Sequence, residues 1–156
     1  MKTLNIVILN DIRSVENVGA IFRTSDALGI DKIYITGYTP APVDRFGRKR
    51  TDLAKSALGA EETMLWEQKK SIVALITKLK KEGYLIIAVE QDPKSIDYRK
   101  VKSSAKNVFL MGNEVTGIPK NLLKKCDVIA EIPMQGKKES LNVSVAFGVA
   151  LFRILT

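Results

Sequence analysis

Short runs of apolar, β-branched residues alternate along this chain with stretches whose apolar positions recur every three or four residues. Thr3 to Leu9, Lys32 to Thr36, Tyr84 to Val89, Asn107 to Met111 and Asp127 to Ile132 have the length and composition of buried strands. A helix predicted from about Asn17 carries Val18, Ile21, Phe22, the small Ser25 and Leu28 on one stripe and stops at Gly29. At about 100° per residue, Arg23 falls about 140° from Val18 and so points away from that stripe. A second helix, predicted over Gln68 to Lys81, places Ile72, Val73, Ile76 and Leu79 inside and its lysines outside, with Gly83 beyond its end. Thr51 to Leu58 reads as a short helix ended by Gly59, Ala60 to Trp66 as an extended piece, and Pro93 to Val101 as a polar connection. Gly117 and Pro119 punctuate a turn into a short helix through Leu123. Strands separated by helices predict an α/β fold with a mainly parallel sheet and helices on both faces. A length of 156 residues fits one domain, 1–156.

The stretch from Ile132 to Leu155, IPMQGKKESLNVSVAFGVALFRIL, organises the rest. It begins as a strand end, passes through a loop holding Gly136, two lysines and Glu139, and finishes as a helix. Either Ser140 or Asn142 can cap that helix, leaving its first N–H groups facing a ligand. The helix carries one charge, Arg153, and is apolar on every face, through Val143, Val145, Phe147, Val149, Leu151, Phe152 and Ile154. Such a helix must be covered all round, and in so short a chain a partner subunit is the more economical cover. An ordinary buried C-terminal helix has the same pattern.

Composition narrows the setting. The longest nearly uncharged run, Leu141 to Phe152, is too short to span a bilayer, so no membrane segment is expected. The opening MKTLNIVILND lacks the small-residue cleavage site of a secretory signal and reads as a first strand. Cys126 is the only cysteine, which excludes an internal disulfide and a cysteine-based zinc site, suits a cytoplasmic setting and points to a packing role. With no histidine, any chemistry lacks the commonest general base and metal ligand. The net charge of +8 calls for an anionic partner, and half of the excess sits in residues 45–55. There Arg45, Arg48, Lys49, Arg50 and Lys55 face the single acid Asp52, with Phe46 and Gly47 among them, a pattern suited to nucleic acid. All of these cations but Lys55 lie in the long irregular loop from Gly37 to Arg50.

Three glycine-bearing segments follow predicted strands: Asn17 to Gly19, Gly112 to Gly117, and Gly136 to Asn142. In open parallel sheets ligands sit at the carboxyl ends of strands, so these segments are expected to converge on one site. None has the spacing of a dinucleotide or P-loop phosphate cradle. They offer backbone amides, carbonyls and the carboxylate of Glu114, groups suited to holding an adenosine by its edges. Taken together, NVGAIFRTSDALG, FLMGNEVTGIP and IPMQGKKESLNVSVA resemble, in order, the three motifs of the TrmH/SpoU family of the knotted SPOUT superfamily. KSALGAEE is similar to small stand-alone members.

The resemblance implies an S-adenosylmethionine-dependent transfer of methyl to ribose 2′-hydroxyls of tRNA or rRNA, an obligate homodimer, and a C-terminal trefoil knot. Sequence patterning alone would not propose a knot, because knotted chains are very rare. By the same resemblance Asn17 and Arg23 match the catalytic pair, and Glu114, Ser140 and Asn142 the other polar site residues. Gly112, Ile132, Met134, Ser140 and Leu141 match the cofactor contacts, with Val89 added at its strand end. The family's arginine usually acts across the dimer interface, which would account for the outward direction of Arg23. RNA contacts are expected from Arg23, Arg45, Arg48, Lys49, Arg50 and Lys55. Since larger relatives carry an added RNA-binding domain or extension, target choice is expected to rest here on the dimer surface and that basic loop. The competing readings are a base methyltransferase of the same fold, a non-catalytic RNA-binding or assembly protein, and a flavodoxin-like domain. The high positive charge and the lack of a phosphate loop disfavour the last.

Overall fold

The computed structural model describes residues 2–156. Its strands are β1 (Leu4–Asn10), β2 (Lys32–Thr36), β3 (Trp66–Lys69), β4 (Leu85–Val89), β5 (Ile96–Asp97), β6 (Lys106–Met111) and β7 (Val128–Glu131). They form one sheet in the order β3-β2-β1-β6-β4-β7-β5, with every neighbouring pair parallel. The helices are α1 (Val15–Leu28), α2 (Thr51–Ala57), α3 (Ala60–Thr63), α4 (Ile72–Lys81), α5 (Lys120–Leu123) and α6 (Val143–Leu155). Because successive side chains of a strand point to opposite faces, the apolar runs feed two cores. Val7, Leu9, Phe109 and Met111 face a core shared with Phe22 of α1 and Phe147 of α6. Ile6, Ile8, Val108 and Leu110 face a second core with Leu75, Ile76 and Leu79 of α4.

Local chemistry sets the helix ends. Ser14 caps α1, its hydroxyl accepting from the Asn17 N–H at 3.2 Å, so the helix begins two residues before the position expected from sequence. Gly29 ends it in the left-handed region, at φ 69°. Gly19 is a close-packing residue, since a Cβ there would lie 2.6 Å from the Leu53 carbonyl of α2. The α4 helix starts only after its cap Ser71, and Gln68 and Lys69 belong to β3. Its buried stripe is Leu75, Ile76 and Leu79, while Val73 is exposed. The expected placement of Val73 inside is therefore corrected: Ile72, Leu75, Ile76 and Leu79 follow the i, i+3, i+4, i+7 spacing, and Val73 falls off it. Residues 60–63, expected to be extended, form the single turn α3 just after the Gly59 N–H bonds the Glu61 carboxylate. The connection after Pro93 holds the two-residue edge strand β5 and a turn of 3₁₀ helix at Tyr98–Lys100.

The last helix is covered on one side only. Phe147, Ala150, Leu151 and Ile154 are buried, whereas Val145, Val149 and Phe152 stand exposed. Asn142, and not Ser140, caps α6: its Oδ1 accepts from the Ser144 N–H at 2.9 Å and the Ser144 hydroxyl at 2.6 Å. Cys126 is partly buried, its thiol donating to the Leu122 carbonyl, and burial pushes its pKa up to about 11, which suits packing. Among the described residues no helix is long and apolar enough to cross a membrane.

Candidate active site

A cavity of about 270 Å³ opens at the carboxyl ends of β4, β6 and β7, where parallel sheets place their ligands. Val89, Met111, Ile132, Met134 and Leu141 give it apolar walls, and the segment 112–117 contributes backbone. Glycine is required at 112 by space, because a Cβ there would sit 2.7 Å from both the Gly117 carbonyl carbon and the Ile118 nitrogen. The turn itself is held by buried Asn113. Its Oδ1 accepts from the N–H groups of Val115 and Thr116, and its amide donates to the Asp11 carbonyl and the Tyr38 hydroxyl. Ser140 and Leu141 line the mouth from the loop before α6, and Gln91 donates to the Glu139 carbonyl, tying that loop to the end of β4.

Glu114 fastens this loop to the start of α1. Its carboxylate accepts from the Arg13 N–H at 2.9 Å, the Ser14 N–H at 2.8 Å and the Asn17 amide at 3.2 Å. Burial alone would raise its pKa, but the N–H donors outweigh burial and hold the carboxyl below its ordinary value. Asn17 thus joins the cavity rim through Glu114. Of the three glycine-bearing segments, 112–117 and 136–142 meet directly at the cavity, while 17–19 reaches it through this hydrogen bond.

Arg23 lies elsewhere. It lines a shallow groove with Ala20, Thr24, Lys55, Leu58 and Phe152, beside the bare side of α6. Within one chain it is not brought to the cavity.

The basic loop is more neutralised than its sequence suggests. Arg48 pairs with Asp44 at 3.0 Å, Lys49 with Glu62, and Arg50 with Asp52 at 2.8 Å. Exposed pairs of this kind hold loosely and can be exchanged for phosphates. Arg45 and Arg48 both lie over the exposed Phe46 ring, at 4.8 and 5.0 Å from its centroid.

Sequence reasoning missed Glu90 and Gln91. Both line the cavity directly after β4. Glu90 is buried enough that its carboxyl is pushed up to about 6; the Ile118 backbone N–H pulls it back, and the neighbouring Asp92 and Glu131 raise it further. Among the described residues no lysine or arginine pairs with it. The available signal was a carboxylate ending an apolar run that enters the sheet.

A model of the SpoU rRNA Methylase family matches residues 4–152. An uncharacterized tRNA/rRNA methyltransferase of Mycoplasma genitalium is 35% identical over 97% of this chain and 60% of its own length. A 23S rRNA (guanosine-2′-O-)-methyltransferase of Neisseria meningitidis is 33% identical over 94% of this chain and 56% of its own. Among solved structures, the AdoMet-bound rRNA methyltransferase of Sinorhizobium meliloti superposes with a TM-score of 0.87 at 28% identity, over 98% of this chain and 56% of that one. The chain therefore spans somewhat more than half the length of these relatives. With its seven parallel strands laid out as in that structure and a family model running from β1 into α6, the chain belongs to the SpoU rRNA methylase family.

Proposed function

We propose that residues 1–156 act as one S-adenosylmethionine-dependent domain that methylates ribose 2′-hydroxyls of tRNA or rRNA as a homodimer. The observation that carries this reading is the cavity at the ends of β4, β6 and β7, with Glu114 joining its rim to Asn17. Its residues fit the cofactor. A nucleoside needs apolar walls for its ring and backbone groups for its edges, which Val89, Ile132, Met134, Leu141 and the glycine-lined 112–117 turn offer, with Gly112 and Ser140 beside them. S-adenosylmethionine bound there supplies an electrophilic methyl group on its sulfonium.

The chain's own residues then have to hold the ribose hydroxyl in line and stabilise the charge that develops on its oxygen. Arg23 suits both tasks, by binding the target phosphate and the developing alkoxide. A guanidinium is a poor proton acceptor. Glu114 is no better, because three N–H donors already favour its ionised form. It positions the start of α1, and with it Asn17. Asn142, fixed as the cap of α6, orients the target from the other side. A water held by an RNA phosphate is left to take the proton.

The homodimer is supported by the separation of Arg23 from the cavity, by the exposed Phe152 beside it, and by Val145 and Val149, exposed on the same helix. Burying a fully exposed side chain of this size is worth about 1.5–3 kcal/mol, and these three, already about half buried, would each gain about half of that. The knot is supported by the path of the chain: β6 inserts between β1 and β4, and β7 between β4 and β5, so late segments enter among earlier ones. Arg23, Arg45, Arg48, Lys49, Arg50 and Lys55 are the proposed RNA contacts, with Phe46 available to stack a base.

Methyl transfer from labelled S-adenosylmethionine to unmodified tRNA and, separately, rRNA, followed by nucleoside mass spectrometry, tests this. A 2′-O-methylated nucleoside in one pool is the expected result. A methyl on a base would instead make the protein a base methyltransferase, and failure to bind the cofactor would make it a non-catalytic RNA-binding protein.

A further inference from the structure

Two carboxylates flank the 112–117 turn, and they are partnered very differently. Glu114 points to the start of α1, where three N–H donors satisfy it. Glu90 stands on the other flank, against Gly117: a Cβ added there would lie 2.2 Å from its Oε1. Gly117 is thus glycine for two reasons, its φ of 70° and the room this carboxylate takes. Glu90 lines the cavity and is partly withdrawn from water, and among the described residues it has no cation within ion-pair reach. The backbone N–H of Ile118 is directed at it. An ionised carboxylate can accept about four hydrogen bonds, so most of its capacity is unused. Unused acceptors in a cavity wall cost free energy unless a ligand supplies donors.

We propose that Glu90 binds the cofactor's ribose, its two oxygens accepting from the vicinal 2′- and 3′-hydroxyls, and that it thereby selects an unmodified ribonucleoside diol. This rests on the cofactor-binding reading given above. Its place in the cavity favours the diol over the reacting end of the cofactor. The reacting methyl must face the RNA-facing groups, Asn17 and the start of α1, which lie on the Glu114 flank. Glu90, on the opposite flank beside Val89 and Ile118, faces the part of the nucleoside that does not react. A rigid strand end carries it, since Glu90 N–H bonds the Ala130 carbonyl of β7 at 3.0 Å. Its neighbour Gln91 donates to the Glu139 carbonyl of the loop that lines the cavity mouth, so the ribose site and that loop share one anchor. A site built to accept from a hydroxyl disfavours the analogue that lacks it, because the acceptor is then left unpaired in a site partly withdrawn from water.

The test is calorimetric titration of the full chain with S-adenosylhomocysteine and with its 2′-deoxy and 3′-deoxy forms. Wild-type protein is expected to bind the parent compound about 10- to 100-fold more tightly than either deoxy form, the range for hydrogen bonds to a charged group. Glu90→Ala should bind all three alike, at about the wild-type affinity for the deoxy forms; that retained affinity also reports that the variant is folded. Glu90→Gln, which keeps one acceptor oxygen, should retain part of the preference. Wild-type protein that binds the parent compound without preferring the diol overturns the inference and leaves the proposed function standing. So does a Glu90→Ala variant that keeps the full preference, or that weakens all three ligands equally. Wild-type protein that binds none of the three overturns both.

Discussion

The cavity at the strand ends and the groove beside α6 lie in one chain, yet they are built to different degrees. Around the cavity the framework residues are held within the chain: Asn113 uses both ends of its amide, Glu114 takes three donors, and Asn142 caps its helix, which leaves Glu90 as a lining carboxylate with acceptors to spare. Around the groove Arg23 stands with Lys55, Leu58 and the half-exposed Phe152, and Val145 and Val149 of the same helix are exposed as well. A region whose framework is fixed by its own hydrogen bonds can bind a ligand alone. One that leaves an apolar helix face bare needs a second surface. In the proposed homodimer the first region holds the cofactor and the second delivers Arg23 to another copy's cavity.

Removing Arg23 should produce the largest effect. Arg23→Ala is expected to lower turnover about 10²–10³-fold, the range for loss of an oxyanion-type donor, with S-adenosylhomocysteine affinity unchanged by calorimetry. An unchanged rate would remove Arg23 from the chemistry. Next, Phe152→Asp puts a charge on the bare side of α6, where the side chain is 44% exposed in the single chain. Sedimentation should then find monomer at concentrations where wild-type protein is dimeric, with turnover lost and cofactor binding kept. A wild-type protein that sediments as a monomer would end the dimer account.

Smaller effects separate the two carboxylates at the cavity. The folded-state pKa of Glu90, about 6, lies above the ordinary glutamate value, so the folded protein holds that proton more tightly than the unfolded chain. Its contribution to stability is present below the unfolded value and is lost as pH rises towards 6. Asp92 and Glu131 face it and act in the same direction by repelling its charge. Glu90→Gln should remove this slope and stabilise the ligand-free protein at pH 7 by about 1 kcal/mol, solvent screening having reduced the full value. Glu114 has the opposite sign, its stabilisation lost as pH falls through its lowered pKa. Urea unfolding from pH 3 to 8 checks both. The smallest change concerns the packing under α1. Ser25 is fully buried, and its hydroxyl lacks a partner among the described residues. Ser25→Ala should gain about 1 kcal/mol, and a few degrees in thermal midpoint.

Much of this was legible in the sequence, for physical reasons that differ by region. Strands buried on both faces of a parallel sheet are continuous apolar runs, so β1, β2, β4, β6 and β7 were found within a residue or two of their observed ends. The strand β5 was not, because two half-exposed residues at a sheet edge leave no hydrophobic signal. In α4 the stripe was misphased at Val73, since a valine next to Ile72 reads as core until tertiary packing selects Leu75. At the site, the three motif segments identified Gly112, Ile132, Met134, Ser140 and Leu141, all of which line the cavity together with Val89. Glu90 escaped notice because a lone acid after an apolar strand is indistinguishable from a solvated strand end. The choice of Asn142 over Ser140 as the cap of α6, and the tether between Glu114 and Arg13, a hundred residues apart in sequence, needed coordinates. The neutralised state of the basic loop also lay beyond a count of charges: Glu62, which pairs with Lys49, stands outside the counted window.

The most direct test of the account mixes two disabled proteins. Arg23→Ala keeps an intact cavity. Gly112→Ala keeps Arg23 but forces a Cβ to within 2.7 Å of backbone at the cavity wall. Each variant should be dimeric by light scattering and inactive in methyl transfer by itself. If Arg23 serves the other copy's cavity, mixed dimers recover activity, because the cavity of one variant meets the arginine of the other. If mixed dimers form and stay inactive, arginine and cavity act within a single chain, and the account is contradicted.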